Sequence, residues 1–184
     1  FEEPIHLNSF YIRKSDTTKE FWTESDIQGK RRPEVPVFVL TSGRTFSEAE
    51  EFTYNLKHLE RATIVGESTR GGAHPVERFI VEGFPIAVSI PFGRAINPVT
   101  GTNWEGTGVE PHVVVAADQA LNTAHIKALE MIENKTEDPL RKQELELTRA
   151  RVKVRVDPIE FDEDQLQAYA GASGPHSVRV LDGH

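Results

Sequence analysis

Ser47 is the first candidate for chemistry in this chain, because it stands where a strand ought to give way to a helix. It closes the segment Thr41-Ser-Gly-Arg-Thr-Phe-Ser47 and opens Glu48-Ala-Glu50. A hydroxyl at such a junction can attack a carbonyl, while the unpaired N–H groups of the first helical turn hold the developing oxyanion. The same residues also spell a capping box, with Ser47 and Glu50 satisfying each other's backbone amides. Position argues for chemistry, since open α/β sheets gather their ligands beyond the carboxyl ends of parallel strands.

Two further groups emerge from loops that follow. His74, in Gly71-Gly-Ala-His-Pro75, could take the serine proton, because an imidazole ordinarily titrates near neutral pH. Read blandly, it is a loop histidine exposed to water or bonded to backbone, one of 7 in the chain. Glu105, in Asn103-Trp-Glu-Gly-Thr-Gly-Val-Glu-Pro111, could orient an imidazole and stabilise its cation. The competing reading makes it a solvated glutamate paired with Arg94.

The elements that must carry these groups follow from periodicity. Val37–Leu40 is an apolar run of the kind buried on both faces of a parallel sheet. From Ser47 to Leu59, Ala49, Phe52, Leu56 and Leu59 recur at helical spacing, and Ala62–Val65 makes the next strand. Strand, helix and strand at this length predict a βαβ unit. Ahead of it, His6–Lys14 and Glu20–Thr23 read as an aromatic hairpin. Behind it, Arg78–Val81, Phe84–Ile90 and Val113–Val115 read as strands, and Ala117–Glu133 as a helix with Leu121, Ala124, Ala128 and Ile132 on one face. Beyond Pro139 the spacing predicts a charged helix over 140–150, a strand over 151–156, a short helix over 162–169, and from Ser177 the first half of a hairpin completed past His184. The expected division is a core over 1–138 and a small α+β appendage over 139–184.

Composition narrows the function classes. A net charge of −8 disfavours general nucleic-acid binding, which needs a basic face. With 0 cysteines there are no disulfides or thiolate metal sites. No apolar run approaches the roughly 20 residues that span a bilayer. Metal-ligand spacing, a phosphate-binding glycine loop and a Gly-x-Ser-x-Gly elbow are all absent from the sequence, so an α/β-hydrolase is disfavoured and no cofactor is expected.

Three motifs in order, Pro36-Val-Phe-Val-Leu-Thr-Ser-Gly-Arg-Thr-Phe-Ser-Glu-Ala-Glu-Glu-Phe52, Arg61-Ala-Thr-Ile-Val-Gly-Glu67 and Gly106-Thr-Gly-Val-Glu-Pro111, resemble the S41 peptidase family. That family comprises tail-specific (C-terminal processing) proteases, tricorn-like proteases and interphotoreceptor retinoid-binding modules. The resemblance implies an α/β fold with a crotonase/ClpP-like core, βαβ units and a β-hairpin extension. It also implies serine endopeptidase activity on peptide or protein substrates, in an exported bacterial protein. Ser47 falls on the nucleophile position, the amide of Glu48 on one oxyanion donor, and Glu105 on the carboxylate of the tricorn-like branch.

The chain departs from the family pattern in three places. The lysine that processing proteases pair with their serine would fall near Gly72, and His74 is the nearest base. The tricorn-like histidine would precede Phe1, as would the Asp-Leu-Arg-x-Asn-x-Gly-Gly strand that supplies the second oxyanion amide. The expectation is therefore the C-terminal part of a catalytic domain, unable to turn over substrate by itself. The alternative, favoured by the missing lysine, is an inactive S41-like module that binds an apolar ligand or a protein partner.

Overall fold

The computed structural model describes residues 1–158, 160–173 and 176–179. In chain order the elements are β1 (His6–Ile12), β2 (Thr17–Trp22), β3 (Phe38–Thr41), α1 (Glu48–His58), β4 (Thr63–Gly66), β5 (Val76–Ile80), β6 (Ala87–Pro91), β7 (Gly93–Ile96), β8 (Val113–Val114), α2 (Ala120–Lys135), α3 (Pro139–Val156), α4 (Glu163–Tyr169), β9 (Gly171–Ser173) and β10 (His176–Val178). The result is a mixed α/β architecture.

Its centre is a small parallel sheet in the order β3-β4-β8, with Thr41 opposite Gly66 and Val65 opposite Val113. The expected strand–helix–strand unit is thus present as a parallel pair joined through α1. One face is closed by α2, whose Ala120 and Ala124 pack with Val65, Phe38, Val113 and Val115. On the other side, Tyr54 of α1 joins Ala73, Ala95, Trp104, Val109 and Phe10 in a second cluster. That cluster ties α1 and the loops around residues 73 and 104–109 to the antiparallel sheet β2-β1-β7. Strand β7 was not expected from sequence: Gly93 and Asn97-Pro98 bracket it as turn residues, and only pairing with β1 from Ser9 to Ile12 makes it a strand.

Gly66 shows how tightly β3 and β4 approach. Its φ is 135°, and a Cβ there would lie 2.0 Å from the Thr41 carbonyl oxygen. Gly66→Ala is expected to destabilise the protein by about 3 kcal/mol, from backbone strain plus overpacking, read as a lower urea midpoint.

Several local expectations change. Leu40 is 42% exposed, because α1 packs on β4 and leaves this part of the outer strand uncovered. In α1, Phe52 is 57% exposed and Ala49 is also exposed, while Glu50, Thr53, Tyr54 and Asn55 are buried. The helix is turned so that Glu50 can reach buried donors described below, and that requirement outweighs the apolar stripe. In α2, Leu121 and Ile132 are exposed and Leu129 is buried, since α2 also packs against α3.

The break expected at residue 151 does not occur. The helix α3 runs unbroken to Val156, with Leu145 and Val152 packed on Leu129 and Ile126 of α2. The alternation Val-Lys-Val-Arg-Val suits a strand locally, but two apolar residues seven apart meet the same helical partner. Arg149 adds ion pairs to Glu130 at 3.4 Å and Glu133 at 3.2 Å. The start is fixed by Asp138, whose carboxylate accepts from Leu140 N–H at 3.0 Å, with Pro139 in the first turn. At the end of the chain, β10 pairs with the preceding β9, and the greater part of the hairpin strand expected from Ser177 onward falls outside the described residues. Residues 180–184 lie outside the described residues. Among the described residues no helix is long and apolar enough to cross a membrane.

Candidate active site

Ser47 is the N-cap of α1 and has φ 58° and ψ −124°, a conformation L-residues rarely adopt. Strain of this type persists only where the surroundings enforce it. Here the enforcement is a capping box: Glu50 Oε2 accepts from the Ser47 N–H at 2.9 Å. The Glu50 amide donates to the Ser47 carbonyl at 2.8 Å and also faces the Ser47 hydroxyl, the other arm of the box.

Beside it, the Glu48 carboxyl is held below the usual glutamate range, first by its own backbone N–H and then by the Ser47 hydroxyl.

Glu50 is the residue that sequence reasoning undervalued. It is completely buried, and besides Ser47 it accepts from Thr69 Oγ1 at 2.5 Å, Gly71 N–H at 2.6 Å and Gly72 N–H at 2.9 Å. Thr69 Oγ1 accepts in turn from Val109 N–H at 2.7 Å. One carboxylate therefore fastens the serine turn to the glycine loop that carries His74. The capping-box pattern revealed only the first of these bonds. The others depend on a loop some twenty residues further along the chain.

The 71–75 loop is fixed from its other side by the 103–108 loop. Trp104 is buried and its indole N–H donates to the Gly72 carbonyl at 3.1 Å, while Gly106 N–H donates to Gly71 at 3.0 Å. A Cβ on Gly72 would lie 2.1 Å from the Phe46 ring, so a larger residue there would have to displace that half-exposed ring. Glu105 Oε2 accepts from Ala73 N–H at 2.7 Å and His74 N–H at 3.0 Å, and lies 3.8 Å from His74 Nδ1. That last separation is an ion-pair distance, longer than a hydrogen bond. Glu105 thus anchors the backbone under the imidazole and places negative charge near its ring. Arg94, the partner considered from sequence, instead lies over the Tyr11 ring at 5.6 Å.

Ser47, Glu48, His74 and Glu105 all line one cavity of about 590 Å³, walled by Phe10, Phe46, Phe92 and Trp104. Groups 58 residues apart in sequence are gathered at the carboxyl end of β3 and β4. A second cavity of about 570 Å³, beside Pro33–Val37 and Arg61–Thr63, includes His112. That imidazole uses Nδ1 to accept from Ile64 N–H at 2.9 Å, and no Ser, Cys or Asp stands beside it. Among the described residues no cluster could hold a metal ion.

Glu51, another wall residue, has its carboxyl pushed above the ordinary value, chiefly by burial and also by the charge of Glu48, against an opposing contribution from Asn8. A raised folded-state value means the folded protein binds this proton more tightly than the unfolded chain. Its favourable contribution is present at low pH and is lost as pH rises through the carboxyl range. Glu51→Gln is therefore expected to raise the melting temperature at pH 7 and leave it nearly unchanged near pH 4, which a pair of calorimetric scans checks.

Among known proteins, the family model of peptidase family S41 matches residues 6–115, more than half of the chain. Solved structures with a similar fold include a putative peptidase from Parabacteroides merdae, with a TM-score of 0.57 and 20% identity over 70% of this chain and 44% of that one. A photosystem II D1 C-terminal processing protease gives a TM-score of 0.50 and 20% identity over 63% of this chain and 28% of that one. A lipoprotein from Streptococcus agalactiae gives a TM-score of 0.50 and 19% identity over 69% and 45%. The chain spans less than half the length of each of these proteins. With the motifs, the fold and the family match in agreement, this chain belongs to peptidase family S41.

Proposed function

We propose that this chain carries the nucleophile half of a serine peptidase site that cleaves peptide or protein substrates by acyl transfer. The observation that supports this most is the strained Ser47 turn opening, with His74 and Glu105, onto one cavity. In the proposed reaction His74 takes the Ser47 proton as Oγ attacks the scissile carbonyl carbon. The Glu48 N–H donates to the oxyanion. The C–N bond then breaks, and the imidazolium returns its proton to the leaving amine. Water hydrolyses the acyl-enzyme by the same steps in reverse roles. Glu105 favours the imidazolium by charge and holds its backbone in place. No metal or organic cofactor enters this scheme.

The finer architectural reading, a crotonase/ClpP-like core, is part of this proposal, as is residence in an exported compartment. The likeness to a lipoprotein is consistent with the latter.

The test is labelling of the full-length protein with a fluorophosphonate probe beside a Ser47→Ala control. Labelling of the parent alone supports the reading, and equal labelling of both removes it. His74→Ala is expected to slow labelling by about 10²–10⁴-fold, the usual worth of a general base. An unchanged rate would assign the base to another part of the full-length protein.

A further inference from the structure

The cavity that holds Ser47 carries its charge unevenly. Its wall includes the carboxylates of Glu48, Glu51 and Glu105, and no lysine or arginine is among the lining residues. Glu105 is already engaged, since it accepts from the amides of Ala73 and His74 and faces the imidazole. Among the described residues Glu48 and Glu51 have no ion-pair partner. Arg70 stands over the Phe46 ring, 5.2 Å from its centroid, but is exposed and outside the lining. The rest of the wall is largely aromatic, formed by Phe10, Phe46, Phe92 and Trp104. Aromatic faces and unpaired carboxylates both attract an organic cation, and neither favours an anion.

Position sets Glu51 apart from Glu48. Ser47 caps α1 and Glu51 follows it by four residues, so the two lie on one face of the helix, about 6 Å apart along its axis. Glu48 is exposed, whereas Glu51 is half-buried. Against Glu51 stands Asn8, wholly buried, with no hydrogen-bond partner of good geometry for either its nitrogen or its oxygen. Asn8 and Phe10 are two residues apart on β1, so both point to the face that walls the cavity. Burial and the Glu48 charge work against the ionised form of Glu51, and Asn8 works for it. An entering cation completes this arrangement. It draws Glu51 into its charged form, offsets the repulsion from Glu48, and leaves Asn8 beside a carboxylate to which its amide can donate.

We propose that this site selects substrates with a basic side chain, lysine or arginine, on the residue whose carbonyl Ser47 attacks, and that Glu51, backed by Asn8, is the residue that selects it. One helical turn between nucleophile and carboxylate suits a four-carbon lysine stem, which packs on the aromatic wall while its ammonium meets Glu51. This inference deepens the peptidase reading and rests on it for the attacked carbonyl, but the cation site can be tested without catalysis.

The test uses full-length protein and a pair of peptide diphenyl phosphonates that differ only at the residue bearing phosphorus, lysine in one and uncharged norleucine in the other. Both are acetylated at the N-terminus, so an α-ammonium cannot stand in for the side chain. The lysine probe is expected to label Ser47 about tenfold faster or more, the worth of one charge-assisted contact. Glu51→Gln is expected to bring the ratio of the two rates within about twofold. Because the readout is a ratio, a general loss of reactivity in the variant does not mimic the effect. Equal rates in the parent, or a lysine preference retained in Glu51→Gln, would overturn the proposal. Binding without chemistry is read on Ser47→Ala protein, whose melting temperature is expected to rise in n-butylammonium chloride relative to the same concentration of sodium chloride. Adding Glu51→Gln is expected to remove that rise, and its absence in Ser47→Ala itself would also count against the cation site. Fluorophosphonate labelling, which involves no substrate side chain, separates the two claims. Absent labelling with the melting shift intact refutes the peptidase and keeps the cation site, and labelling with equal probe rates refutes the selection alone.

Discussion

Ser47→Ala is expected to abolish fluorophosphonate labelling and to lower the rate of peptide hydrolysis by the full-length protein by about 10³-fold or more, while leaving the fold intact. The size of the effect follows from what the hydroxyl does in the proposed reaction: without it no covalent intermediate forms, and only binding and oxyanion stabilisation remain. Retention of the fold follows from where the hydroxyl sits. The amide of Glu50 is satisfied by the Ser47 carbonyl, and the serine N–H by the Glu50 carboxylate. Alanine keeps both bonds and has the same Cβ, so the positive-φ strain is unchanged. A variant with unchanged urea midpoint and no activity is the expected pair of observations. A folded variant that hydrolyses peptides at the parental rate would end the serine mechanism.

Glu50→Ala is expected to have the largest effect on stability, about 3–5 kcal/mol, read from urea unfolding. The substitution deletes the acceptor for Ser47, Gly71 and Gly72 amides and for the Thr69 hydroxyl in a site closed to water. Donors left buried without partners carry their full desolvation cost, which is what makes removing one side of such a cluster expensive. Glu50→Gln keeps the shape but turns a donating amide toward some of those same groups, and about 1–3 kcal/mol is expected. Both variants should quicken hydrogen exchange at the amides of residues 71 and 72 before any global change. A Glu50→Ala protein within 1 kcal/mol of the parent would show that these bonds are replaceable by water.

How much of this was legible beforehand varies with the range of the interactions. The helix α1 and its flanking strands are written in local terms: an apolar run, a capping box, a stripe at helical spacing, then a second apolar run. Even there, the face that α1 buries was misjudged, because Glu50 finds its partners in the 69–72 loop and the helix turns to suit them. The strand β7 and the unbroken helix α3 escaped notice for a related reason. The first acquires its conformation from pairing with β1, and the second from the meeting of Leu145 and Val152 with α2.

For the site, residue types and loop placement were enough to nominate Ser47, His74 and Glu105, and the resemblance to the family added the Glu48 amide. They could not tell that the serine backbone would be strained, that Glu105 would spend its carboxylate on the amides of Ala73 and His74, or that the nominees would share a cavity. The chain alone determined its own local grammar, meaning which stretches favour strand or helix and which side chains can donate, accept or attack. Tertiary structure decided which of those groups meet, since hydrogen bonds and close packing between distant segments are settled only once burial has removed water as the competing partner.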